Sequence, residues 1–108
     1  MGGEPDLLVT KRVNSAFYGE PSLDDWLRGR GIETVVICGI TTNHCCETTA
    51  RMAGNLGYRV LFVGDATCTF DRRALDGGII PAEEIQRVSE ASLHGEFAEV
   101  VSTASLRR

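Results

Sequence analysis

Two cysteines, Cys45 and Cys46, stand side by side in VVICGITTNHCCETTARMAG, residues 35–54, where a β-branched run gives way to a helical pattern. A thiol in the opening turn of a helix faces unpaired N–H groups and the positive end of the helix dipole. Both favour the thiolate, the form that attacks carbonyl carbon. The competing reading is a small buried core residue, the usual fate of cysteine. Cys46 points about 100° further round the helix than its neighbour. That turns it toward the stripe of Ala50, Ala53 and Leu56, so Cys46 is the packing residue and Cys45 the candidate nucleophile. Cys38 and Cys68 are expected to be inert. The four cysteines contain no C-x2-C pair and the two histidines no H-x3-H pair, so no metal site is expected and no cofactor is implied.

The elements that must position such a thiol follow from the pattern. Asp6 to Lys11 (DLLVTK) reads as a strand and Asn14 to Glu20 as a loop. Pro21-Ser22 then opens a helix with Ser22 as N-cap, Asp24 and Asp25 in its first turn, and a stop at Gly29 or Gly31. Thr34 to Cys38 (TVVIC) reads as a strand buried on both faces. Thr42 or Asn43 is the expected N-cap of a helix to Leu56, with Gly57 as its stop. Arg59 to Val63 is the next strand, ended by Gly64-Asp65. After a loop to Gly78, Pro81 sits in the first turn of a helix carrying Ile85, Val88, Leu93 and Phe97, and Glu99 to Ser102 is a last strand. The order β-α-β-α-β-α-β predicts an α/β fold with a parallel sheet and right-handed crossovers. In such sheets ligands collect beyond the carboxyl ends of the strands, where Cys45 lies.

Composition narrows the partners. At 108 residues the chain holds one core at most, and 43% hydrophobic with 24% charged residues is ordinary for a globular protein. The formal charge of -4 and the lack of a basic run exclude a nucleic-acid footprint. No apolar stretch approaches a membrane span, and MGGEPD lacks the features of a signal peptide, which points to the cytosol and no membrane partner. Cysteines there are core or catalytic residues rather than disulfides.

The stretch GITTNHCCETTARMAGNLGY resembles the nucleophile segment of the isochorismatase-like cysteine hydrolase superfamily, which includes nicotinamidases, N-carbamoylsarcosine amidases and isochorismatases. That segment reads roughly G-[IV]-x-T-[DN]-x-C-V-x-x-T-A-x-x-A. Gly39, Ile40, Thr42, Asn43, Cys45, Thr49, Ala50 and Ala53 fall on it in register, with Cys46 in place of the usual valine. DLLVTKRVNSAF resembles the family's lysine strand and S-A-F turn, and GYRVLFVGDATCTFD its next strand and D-A turn. EEIQRVSEASLHGEFAEVVSTASL resembles its closing helix and strand, so the likeness covers nearly the whole chain.

The resemblance implies a three-layer α-β-α, Rossmann-like hydrolase fold, incomplete at its N-terminus. Of the family's sheet order 3-2-1-4-5-6, residues 1–108 would supply strands 3, 4, 5 and 6 as the C-terminal portion of a single domain. It also implies that Cys45 is the nucleophile and Lys11 the catalytic lysine, whose ammonium favours the thiolate. The backbone N–H groups of Thr41 and Cys45 would form the oxyanion hole, with a cis peptide at Ile40-Thr41. The substrate would be a small-molecule amide cleaved through a thioester. Phe17 and His44 are candidate pocket residues; a core aromatic and an exposed helix-start histidine are the competing readings. The family's catalytic aspartate, at the end of its first strand, has no counterpart, since Asp6 begins its strand. A rival expectation is therefore an inactive fragment that serves only as an oligomerisation or interaction module. A homo-oligomer is expected in either case, with Trp26 as helix packing or a subunit contact. Asp65 is expected to be a turn or capping residue, and His94 to meet the C-terminus of the last helix.

Overall fold

The computed structural model describes residues 4–106. The strand expected over Asp6 to Lys11 does not form: the one ladder contact there is an antiparallel bridge of Thr10 to Glu20, with both N–H···O distances 2.8 Å. A strand needs a neighbour to take its backbone donors and acceptors, and only Thr10 finds one. A short 3-10 turn, Ala16–Tyr18, follows, held by the Ser15 hydroxyl accepting from the Phe17 N–H at 3.1 Å. The first α-helix, α1, is Leu23–Gly29, with Ser22 accepting from the Asp25 N–H and with Asp24 and Asp25 in its first turn, as expected. Gly31 takes φ +70 just beyond it.

Strand β1 is Thr34–Ile40 and the next helix, α2, is Glu47–Asn55. Strand β2, Arg59–Cys68, outruns its expected end. Arg72–Arg73 and Ile79–Ile80 form a small antiparallel hairpin, β3 and β4. Helix α3 is Ala82–Leu93, with Pro81 at its N-cap, and β5 is Glu99–Val101. The main sheet has the order β1-β2-β5, all parallel.

All three helices contribute to one core. Val60 and Phe62 of β2 pack with Leu27 of α1, Ala50 and Ala53 of α2, and Leu93 of α3, and Val35, Ile37 and Val100 lean on the same cluster. These strand positions share one face of the sheet. The described residues thus supply the sheet and one helical layer. β1 is not buried on both faces: Val36 and Ile40, on the opposite side, are 53% and 61% exposed. Its β-branched run marks a strand built to be covered, but burial depends on neighbours, and among the described residues β1 is an edge with none on one side. Phe97 lies beyond α3 and packs on the core, while Val88 is exposed.

Leu93 is fully buried at the end of α3. Leu93→Ala is expected to lower stability by about 2–5 kcal/mol, read as a fall in the urea midpoint. An unchanged midpoint would mean that α3 is not part of the cooperative core.

Candidate active site

Between β1 and α2 the chain makes a wide turn, Thr42–Cys46, with N–H···O bonds five residues apart: Cys46 to Thr41 and Glu47 to Thr42. Its N-cap position is Thr41, with no side-chain cap bond, and not Thr42 or Asn43 as expected. Both of those side chains are recruited elsewhere. The Thr42 hydroxyl donates to Gln86 Oε1 of α3 at 2.7 Å, and Asn43 Oδ1 accepts from the Thr69 hydroxyl. Gly39 approaches the turn with φ +126, a conformation that favours glycine, and the Ile40–Thr41 peptide is cis.

Cys45 sits in this turn, half-buried, and its Sγ lies 3.3 Å from Lys11 Nζ. The two residues are 34 positions apart in the sequence. The ammonium also donates to the Val13 carbonyl at 2.9 Å and makes no ion pair among the described residues, so its charge faces the sulfur. Asn14 Oδ1 lies 3.7 Å from the same sulfur. The segment carrying Lys11 and Asn14 is tied to α2 by the Ala16 N–H, which donates to Thr49 Oγ1 at 3.0 Å, one turn beyond Cys45. Thr41 N–H, one of the two expected oxyanion donors, binds no acceptor among the described residues.

Cys45 and Lys11 border a largely apolar cavity of about 590 Å³ that runs along the free edge of β1. Phe17 lines it with Leu23, Leu27 and Ile37, and its ring also stacks on Tyr58 with centroids 5.9 Å apart. Pocket wall and core aromatic are therefore both descriptions of Phe17. His44 does not line this cavity; its Nε2 faces Arg72 Nη1 of β3 at 3.3 Å. Asn14 was not singled out in the sequence. Its position three residues after Lys11 was the available signal.

Cys46 differs from its neighbour. It is 4% exposed, and burial, aided by the nearby cysteines, pushes its thiol up to about 11 from 9.0. The proton is therefore held more tightly in the folded than in the unfolded chain. The stability this confers is complete below pH 9 and is lost as pH rises from about 9 through about 11. Cys46→Val should flatten that part of the stability–pH curve, measured by urea midpoints. The Tyr58 hydroxyl is also pushed up, by burial and then by Asp24, and adds to the alkaline loss. An identical curve for the variant would remove Cys46 from the titrating groups.

The remaining candidates are accounted for structurally. Asp65 lies within β2 rather than in a turn after it, and its Oδ1 accepts from the Thr103 N–H at 2.8 Å and hydroxyl at 2.9 Å, a tie to a segment 38 residues away that holds its carboxyl below the usual range. His94 is the C-cap of α3, but its ring Nδ1 accepts from the Val100 N–H at 3.0 Å instead of meeting the helix carbonyls. Trp26 packs against the core with Arg30 over its ring at 4.3 Å. Among the described residues no group of three or more His, Cys, Asp or Glu is placed to hold a metal, and no helix is long and apolar enough to cross a membrane.

Comparison with known proteins adds to this geometry. A family model described as isochorismatase domain matches residues 2–105. The uncharacterised isochorismatase family protein YrdC of Bacillus subtilis (strain 168) is 42% identical over 103 residues, which are 95% of this chain and 54% of that protein. Nicotinamidase 3 of Arabidopsis thaliana is 38% identical over 104 residues, 96% of this chain and 46% of that one. Among solved structures, a cysteine hydrolase from Pseudomonas syringae pv. phaseolicola 1448A superposes with a TM-score of 0.89 at 34% identity, covering 98% of this chain and 49% of that chain. The chain thus spans about half the length of the relatives it matches.

Proposed function

Because the chain belongs to the isochorismatase family, we propose that it carries the nucleophile of a cysteine-dependent hydrolase that cleaves an amide or related C–N bond of a small molecule. The observation that carries this reading is the 3.3 Å approach of the Lys11 ammonium to the Cys45 sulfur beside an apolar cavity. A solvated surface lysine has no reason to converge with a thiol from a segment 34 residues away. That convergence favours the hydrolase reading over an inert interaction module. The names of the relatives support the class of bond, since a nicotinamidase cleaves an amide and the superposed structure is called a cysteine hydrolase.

In this reading Cys45 Sγ attacks the carbonyl carbon, and the electron pair of the C=O bond moves to oxygen. Thr41 and Cys45 N–H groups receive the oxyanion, with the Lys11 charge nearby. Collapse of the intermediate breaks the C–N bond, the nitrogen leaves with a proton, and water hydrolyses the thioester to free acid and thiol. The leaving nitrogen takes the proton that the Cys45 thiol gives up, carried by a carboxylate that accepts it from sulfur and hands it to nitrogen; among the described residues no carboxylate hydrogen-bonds Cys45 or Lys11. We assign that role to a carboxylate in the further length that the relatives possess, and residues 1–108 to the C-terminal portion of one such domain. The free edge of β1 and the cavity alongside it support that assignment.

An activated ester tests the nucleophile without the acid, because nitrophenolate leaves unprotonated. Incubation with 4-nitrophenyl acetate should place an acetyl group on Cys45, located by peptide mass mapping and released by hydroxylamine. Acetylation spread over Cys38 and Cys68 with none at Cys45 would contradict the reading.

A further inference from the structure

We propose that Gln86 of α3 is a positioning residue for the nucleophile turn, holding the Thr41 and Cys45 backbone donors where the developing oxyanion will sit. The inference rests on the hydrolase reading above and extends it to a residue outside the cavity.

The turn has no side-chain cap, and the Thr41 carbonyl alone takes the N–H groups of both His44 and Cys46, each at 3.1 Å. Its conformation must therefore be fixed from outside. Besides the Asn43–Thr69 bond, the fixing point is Thr42, which is fully buried and donates its hydroxyl to Gln86 Oε1 at 2.7 Å. The other end of the same carboxamide reaches three acceptors: the Gly64 carbonyl at 3.1 Å, Thr67 Oγ1 at 3.0 Å and Glu90 Oε2 at 2.8 Å. One end of Gln86 meets a donor and the other meets only acceptors, so the orientation of the carboxamide is determined. The Thr67 hydroxyl gives its own hydrogen to the Gly64 carbonyl at 3.1 Å and is left with lone pairs for Gln86.

The strand supplies the reason for these acceptors. While β1 advances from Ile37 to Gly39, β2 advances from Phe62 to Thr67, so Gly64, Asp65 and Ala66 bulge from the ladder. Carbonyl and hydroxyl groups that would otherwise serve the sheet are freed, and Gln86 gathers them. One side chain of α3 thus locks the bulge of β2 to the first residue of the turn bearing Cys45. Only Asn43 and His44 separate Thr42 from Cys45, so a change at the anchor swings the Cys45 N–H directly. A displacement of about 1 Å in such a site costs up to about 10²-fold in rate.

Two reagents at the same sulfur separate this role from simple support of the fold. Alkylation of Cys45 by iodoacetamide reads access and nucleophilicity and forms no oxyanion. Acylation by 4-nitrophenyl acetate passes through a tetrahedral oxyanion. In the full chain, Gln86→Ala should slow acylation of Cys45 about tenfold while alkylation stays within about twofold. Thr42→Val should reproduce that split, and Thr42→Ser, which keeps the hydroxyl, should restore acylation. The Thr42 pair decides the matter if Gln86→Ala does not fold. Parallel loss of both rates, or equal acylation of Thr42→Val and Thr42→Ser, would overturn the positioning role. A native protein whose Cys45 is alkylated but never acylated would instead overturn the hydrolase reading, and the role of Gln86 with it.

Discussion

Cys45→Ser should lose acylation at position 45 by 4-nitrophenyl acetate by at least about 10³-fold. The replacement is close to isosteric, so the turn and the Lys11 contact have room to persist. The chemistry does not. A serine hydroxyl must give up its proton to attack, and among the described residues no carboxylate or imidazole hydrogen-bonds Cys45 to take it. Lys11, as an ammonium, can only donate. The readout is the adduct at residue 45, because Cys38 and Cys68 are exposed and any reaction at them would add to a bulk assay. A variant within tenfold of the native rate at that position would mean that the sulfur is not the attacking atom.

Lys11→Met is expected to slow the same acylation by about 10²-fold, the effect of removing the one charged group beside the sulfur that the proposed mechanism sets near the oxyanion. Methionine keeps much of the length of the chain and removes the charge, so packing against the cavity is least disturbed. Lys11→Arg should recover part of the loss, since the charge returns on a planar, bulkier fork. The contact is partly buried, and 1 M salt should therefore weaken it less than it would a surface pair. A Lys11→Met rate within twofold of native would remove the lysine from the site.

The parts of this site differ in how far the sequence announced them. The turn after β1 was legible because a β-branched run, a glycine and a helical stripe leave few places for Cys45 and Cys46 to point, and the observed burial of Cys46 follows that periodicity. Lys11 was not legible from pattern, since a contact across 34 residues leaves no local trace; it was reached through the family resemblance of DLLVTKRVNSAF. The same segment was misread as a strand because its residues favour extension, whereas a ladder needs a second chain segment that only Thr10 finds, at Glu20. β1 was misread only in its faces: TVVIC carries the composition of a strand covered on both sides, but one face is open, whereas its open edge is what the order 3-2-1-4-5-6 without strands 1 and 2 implies. The N-cap failed on competition. Thr42 and Asn43 are good caps in isolation, but Gln86 and Thr69 offer them partners from distant segments. Such tertiary recruitment is what a one-dimensional reading misses, and it fell on the residues that hold the candidate nucleophile.

The central claim is that the Lys11 contact, rather than exposure, makes one thiol of four reactive, and exposure argues the other way. Cys38 and Cys68 are exposed, Cys45 is half-buried and Cys46 is buried. Substoichiometric iodoacetamide at pH 7, followed by peptide mass mapping, therefore sets chemistry against access. Labelling of Cys45 ahead of Cys38 and Cys68, and of Cys46 not at all, is the predicted result. Labelling that follows exposure, with Cys38 and Cys68 first, would contradict it.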